Sequence, residues 1–323
     1  MNKLPRKIIG FLFFIFYLSA FASDQKQLVV VLDWFVNPNH APLFVAEQEG
    51  FFASQGIKVK FISPADATYG EKMVAANQAD IAITYQPALM HHVTQGLPLV
   101  RFATLINVPL NCFIVLKNGK ISSIKDLKGK RIGYSAQAVD SIMFSTMLKA
   151  ANLQTSDVEL INVKFNLTQA LLTGKIDGFT GGMRNFEPIA IELAGKLPKV
   201  FYPEECGFPK YDELILVAHK NKVHDPSLIK FTYALRQAVA YLKKNPHKSW
   251  EKFSANHPEL NNVLNKKIWF ETLPYFADDP AKLDRERYQK FTKFMWERGM
   301  IEYMPKIEDY TGDSASRRPR LET

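Results

Sequence analysis

The residues best equipped for chemistry fall in short polar runs, each of which follows an apolar stretch. The first run is Asp33-Trp34-Phe35-Val36-Asn37-Pro38-Asn39-His40. Asp66-Ala67-Thr68-Tyr69-Gly70 and Thr84-Tyr85-Gln86-Pro87 come next. Tyr134-Ser135 and Thr180-Gly181-Gly182-Met183-Arg184-Asn185-Phe186-Glu187 follow in the second half. Together they supply aromatic rings, carboxamides, carboxylates and one histidine. Aromatic plates hold flat rings, and stacking adds about 0.5–1.5 kcal/mol beyond area burial. Amides and carboxylates read a ring's polar edge, because a mispaired buried polar group costs about 1–3 kcal/mol. A 4-aminopyrimidine, with ring acceptors and an exocyclic amine, complements Asn37 and Glu187. The runs contain no Ser-His-Asp order and no metal cluster. Capture of a small flat molecule is therefore expected, without catalysis and without a cofactor.

Such runs need elements to hold them. Leu28 to Leu32 is a fully apolar strand-like run, and Ile57, Val59 and Phe61 alternate with lysines as in a half-buried strand. Helical spacing covers His40 to Glu49 and Gly70 to Gln78, and Pro87 opens another helix. Ile81 to Tyr85 and Leu99 to Leu105 read as further strands. Strands alternating with helices imply mainly parallel sheets covered on both faces. In open sheets of this kind ligands gather beyond the carboxyl ends of the strands, where the polar runs lie. The plan then repeats, with strands at 130–134 and 158–163 and helices at 140–151 and 168–173. "MVAANQADIAITY" and "ALLTGKIDGFTGG" share a helix end, a tight turn, an Asp and a buried strand. Two similar α/β lobes are expected. Residues 24–113 with 219–323 form the first and 114–218 the second. Crossings near Phe113-Ile114-Val115 and Ile215-Leu216-Val217 serve as a two-strand hinge. After Asp225 the chain reads as helical, with apolar faces at Leu228, Phe231, Leu235, Val239 and Leu242, and at Tyr288, Phe291, Phe294 and Met295.

The N-terminus reads as an address. Lys3, Arg6 and Lys7 precede an apolar run from Ile8 to Leu18, then Ser19-Ala20-Phe21-Ala22. This is the layout of a secretory signal peptide over residues 1–22, too short to span a membrane comfortably. The mature chain is then expected in the periplasm. The net charge of +9 is scattered, partly in Arg317, Arg318 and Arg320, and gives no nucleic-acid footprint. Cys112 and Cys206 are the two cysteines. An oxidising compartment permits a bridge, but cysteines this far apart in sequence are more often separate thiols.

At these residues the chain resembles a known family. "LDWFVNPNHAPLFVAEQEGFF", "SSIKDLKGKRIGYS" and "GGMRNFE" are similar to the NMT1/THI5-like group of solute-binding proteins, the thiamine-pyrimidine precursor binders of ABC importers. Its signature falls on Leu32, Asp33, Trp34, Asn37 and His40. The run Asp126 to Lys130 is shared more widely, with sulfonate and nitrate binders. The resemblance implies a two-lobed periplasmic-binding-protein fold of type II and a ligand such as formylaminopyrimidine or hydroxymethylpyrimidine. It also implies an ABC permease as partner. Trp34, Asn37, His40, Tyr69, Tyr85, Asn185 and Glu187 are then the candidate ligand contacts, in a protein expected to be a monomer. Trp34 is the stacking plate, with Tyr69 or Tyr85 enclosing the ring, and His40 is an orienting donor. The same family name covers a pyrimidine synthase with a cysteine-rich C-C-C-F-C run, which this sequence lacks.

Plainer readings stand beside these. Asp33, Asn37 and Asn39 suit helix or turn caps, and His40 suits a partner for Asp33. His91-His92 cannot converge on one helix face and is assigned to the surface. Gly181-Gly182 lacks the Lys-Ser/Thr of a phosphate loop. Arg184 keeps a sulfonate, nitrate or other anion binder open as an alternative.

Overall fold

The computed structural model describes residues 25–66, 69–135 and 137–312, the side chains of 137–141 excepted. The expected signal segment and the basic tail lie outside the described residues.

Among the described residues, ten strands form two five-stranded sheets. They are β1 (Lys26–Val31), β2 (Ile57–Ile62), β3 (Ile81–Thr84), β4 (Leu99–Ile106), β5 (Asn111–Leu116), β6 (Arg131–Tyr134), β7 (Glu159–Asn162), β8 (Gly178–Met183), β9 (Pro198–Phe201) and β10 (Leu214–His219). The first sheet has the order β2-β1-β3-β10-β4 and the second β7-β6-β8-β5-β9. In the first, β1 pairs in parallel with β2 and β3, while β10 runs antiparallel to β3 and β4. The second repeats this, with β6 parallel to β7 and β8 and with β5 antiparallel to β8 and β9. Each lobe thus inserts one reversed strand into an otherwise parallel sheet.

Burial on both faces explains the unbroken apolar runs. Leu28 and Val30 face one core while Val31 faces the other. Cys112 and Ile114 are likewise split from Phe113 and Val115. The helix Pro226–Lys244 closes the first lobe through Leu228, Phe231, Leu235, Val239 and Leu242, all in its core. Tyr288, Phe291 and Met295 seal the other face, with Phe294 packed alongside.

The sequence repeat is a structural one. Asp80 ends the turn before β3, donates its N–H to the Val29 carbonyl at 3.0 Å and accepts the Val29 N–H at 3.0 Å. Asp177 does the same before β8, to Arg131, at 2.8 and 2.9 Å. The two aspartates pin equivalent strands in equivalent lobes.

The lobe changeovers differ from the expected ones. By sheet membership the chain crosses at residues 107–110, between β4 and β5, and at residues 202–213, between β9 and β10. The expected changeover at 113/114 cuts β5, and that at 218/219 falls at the far end of β10. The apolar runs taken for crossings are core strands, each paired on both sides within one sheet. A carboxylate clasps the two true crossings together. Glu213 accepts the N–H groups of Leu110 at 2.5 Å and Asn111 at 2.7 Å, and the Tyr211 hydroxyl at 2.9 Å. Burial pushes the Glu213 carboxyl up to about 7, even though all three donors favour its charged form.

Cys112 is buried, Cys206 is half-buried, and both are free thiols. His92 departs from its surface assignment. It is buried, with Nε2 3.8 Å from Oε1 of Glu71. Its helix, Gln86–Thr94, packs against sheet strands on one side and the helix Gln137–Ala150 of the other lobe, so more than one face is covered. Burial, with His91 and Lys72 nearby, lowers the His92 pKa to about 4.

Candidate functional site

The ends of the strands meet at a cleft between the lobes, with a cavity volume of about 60 Å³. The first lobe lines it with Asp33, Trp34, Asn37, Asn39 and Tyr85. Asn111 enters from the crossing, and Ser135, Leu167, Gly181, Met183, Phe186 and Glu187 line the second side. Gly181 has φ of 89°, in the left-handed region that glycine adopts without strain, and this turns the β8 backbone along the wall.

The loop after β1 is built by its own side chains. Asn37 Oδ1 accepts the Asn39 N–H at 2.9 Å, and Asn37 Nδ2 donates to the Phe35 carbonyl at 2.8 Å. Asn37 thus caps the turn Pro38–His40, as its type allows, and both ends of its carboxamide hold the loop. His40 is fully buried behind the wall. Its Nδ1 receives the Asn37 N–H at 3.4 Å, so Nε2 carries the proton and donates to Asp33 Oδ1 at 2.8 Å. The Tyr85 hydroxyl donates to Asp33 Oδ2 at 2.7 Å. Burial raises the Asp33 pKa, but the hydrogen bonds from His40 and Tyr85 and the electrostatic pull of His40 outweigh it, and the net shift is downward. Asp33 is therefore a held carboxylate in the wall, oriented by His40.

Across the cleft, Glu187 begins the helix Glu187–Leu193 and accepts the Met183 N–H at 2.6 Å. Burial raises its pKa to about 7, against the pull of the Met183 and Glu187 backbone amides. Trp34 meets Phe165 of the second lobe edge-on, with centroids 4.4 Å apart, and Phe35 meets the same ring at 4.7 Å. Asn185 donates from Nδ2 to Asn39 Oδ1 at 2.8 Å and to Thr272 Oγ1 at 2.7 Å, both in the first lobe.

Trp34, Asn37, Tyr85 and Glu187 are therefore brought to one cleft. His40 and Asn185 lie behind its walls, one orienting Asp33 and the other tying the lobes. Tyr69 is exposed at the start of the helix Tyr69–Ala75 and is not among the lining residues. Sequence reading missed Asn111, a lone polar residue opening an apolar strand, and Phe165, an aromatic in a loop with no other signal. It also missed Glu71, buried beneath the wall, where Thr84 donates to it at 2.5 Å and burial raises its pKa to about 7. Arg184 is occupied. Its guanidinium forms two bonds to Glu204, at 2.7 and 2.9 Å, and lies over the Tyr202 ring. Among the described residues no group of three or more His, Cys, Asp or Glu is placed to hold a metal ion. No helix among them is long and apolar enough to cross a membrane.

Two mixed five-stranded sheets with a cleft at the crossings define the periplasmic-binding-protein fold. Solved structures agree: the alkanesulfonate-binding protein of Xanthomonas axonopodis pv. citri superposes with a TM-score of 0.67 at 15% identity, over 87% of this chain and 95% of that one. Within this fold the chain belongs to the NMT1/THI5-like family, whose model matches residues 37–249. A Haemophilus influenzae protein named a thiamine biosynthesis protein is 43% identical over 91% of this chain and 93% of its own length. The formylaminopyrimidine-binding protein of Halalkalibacterium halodurans is 30% identical over 83% and 84%. The Legionella pneumophila 4-amino-5-hydroxymethyl-2-methylpyrimidine phosphate synthase is 28% identical over 85% and 90%.

Proposed function

We propose that this protein is a periplasmic solute-binding protein that captures a thiamine pyrimidine precursor and delivers it to an ABC permease. The precursor is of the formylaminopyrimidine or hydroxymethylpyrimidine type. One observation carries the reading: Glu187, a half-buried acid, faces a cleft that also holds the Trp34 ring. A flat ring with an exocyclic amine fits that pair, the ring on Trp34 and the amine donating to Glu187. The relative named as a formylaminopyrimidine-binding protein supports this choice of ligand class.

The anion reading loses its anchor, because Arg184 is paired with Glu204 and no lysine or arginine lines the cleft among the described residues. Asp33, held as a carboxylate in the wall, also opposes an anion. A synthase reading has relatives in its favour. Against it, His40 is buried, hydrogen-bonded to Asp33, and not among the residues that line the cleft.

Calorimetry on the parent and Glu187→Gln, with an aminopyrimidine and its deaminated analogue, tests the assignment. The substitution replaces one acceptor with a donor that faces the amine. Selective weakening toward the aminopyrimidine is expected. Undiminished binding of the aminopyrimidine would contradict it.

A further inference from the structure

Asn111 opens β5 at the first crossing, where the Glu213 clasp fixes its backbone N–H at 2.7 Å. Its side chain lines the cleft, yet the residue is 2% exposed. Its carboxamide oxygen is buried and accepts no hydrogen bond. A buried acceptor left without a donor destabilises the protein that carries it, and native structures keep few of them. Of the neighbouring carboxamides, Asn37 holds its own loop and Asn39 accepts from Asn185; the Asn185 oxygen is also unpartnered, but Asn185 is not among the residues that line the cleft.

We infer that Asn111 is a specificity-determining ligand contact, whose unmatched side-chain oxygen accepts an N–H from the exocyclic amine of the bound pyrimidine. The inference rests on the pyrimidine-capture reading and adds to it a residue on the hinge itself. The edge-reading amide is then Asn111, while Asn37 shapes the loop. Because Asn111 is fixed to the clasped crossing, it meets the ligand from the part of the cleft that moves least as the lobes open. The ligand also completes the hydrogen bonding of a group that is deficient without it.

The consequence is an opposition between stability and affinity. Asn111→Leu keeps the side-chain size and removes the unmatched oxygen. The ligand-free variant should melt no lower than the parent, because an orphaned polar group has been replaced by an apolar one of similar shape. Its affinity for hydroxymethylpyrimidine should nevertheless fall roughly ten- to hundredfold. The desamino analogue, which has the same ring without the amine, should lose much less, so the preference for the amine shrinks by about tenfold or more. Asn111→Ala, which adds no bulk, controls for steric blocking and should show the same selective loss.

Calorimetry with both ligands, alongside thermal melts of the ligand-free proteins, decides the matter. Selective loss toward the amine with an undiminished melting temperature supports the assignment. Equal affinity in the parent and both variants overturns it and leaves pyrimidine capture standing. Equal weakening toward both ligands also overturns it, since the oxygen then reads no amine. A parent protein that binds no pyrimidine overturns the capture reading and this inference together.

Discussion

Asn185 of the second lobe donates its amide to Asn39 of the first at 2.8 Å, and the same nitrogen reaches Thr272 at 2.7 Å. Asn39 lines the cleft, while Asn185 sits behind it. This small polar knot therefore ties the lobes behind the cleft wall, one residue from Arg184, whose N–H donates to the carbonyl of Leu110 in the clasped crossing at 2.8 Å. With the Trp34–Phe165 contact, it describes a closed arrangement.

Removing the knot should favour opening. Asn185→Ala deletes two interlobe hydrogen bonds, each worth about 0.5–1.5 kcal/mol net. Ligand affinity should fall about tenfold. Small-angle scattering should show a larger radius for the ligand-free variant than for the parent, with saturating ligand restoring compactness. Parent-like affinity together with a parent-like radius would show that the knot does not govern closure.

Trp34 should contribute to binding through its ring face. Trp34→Ala should weaken the aminopyrimidine and its desamino analogue alike, by at least the roughly 0.5–1.5 kcal/mol of ring contact plus the apolar area lost. Calorimetry with both ligands measures this. Loss confined to one of them would assign Trp34 to edge recognition.

Stability should fall as pH rises from about 5 to about 7. Glu71, Glu187 and Glu213 are each raised by burial to about 7, from an unfolded value of 4.5. In that window the folded protein binds more protons than the unfolded chain at these three groups. Their contribution is complete below the unfolded value and is lost as pH climbs through the folded one. His92, lowered to about 4 from 6.5, acts oppositely and offsets one of the three up to its unfolded value. Melting curves across this range should decline, and Glu71→Gln should flatten the decline. A rising curve would contradict the burial-driven shifts.

Much of this architecture was legible in the chain. Leu28 to Leu32 and Phe113 to Val115 are apolar at every position because both sheet faces are covered. The repeated Asp80 and Asp177 mark equivalent turns in the sequence itself. Trp34 and Glu187 could be found because each follows a strand end in a doubly covered sheet. The roles of Asn37 and His40 could not be separated by spacing, since a cap and a ligand contact use the same residue types. Asn111 and Phe165 owe their positions to lobe-on-lobe packing, which leaves no periodic trace, and the same packing makes Asn185, legible as a polar loop residue, an interlobe tie. The crossings were misplaced because a core strand and a hinge strand are equally apolar.

The most direct test of the capture reading is calorimetry on the purified parent protein, titrated separately with formylaminopyrimidine, hydroxymethylpyrimidine, taurine and nitrate. The cleft geometry predicts saturable one-to-one binding of an aminopyrimidine and no measurable binding of either anion. Tight binding of taurine or nitrate, with no response to the pyrimidines, would contradict it.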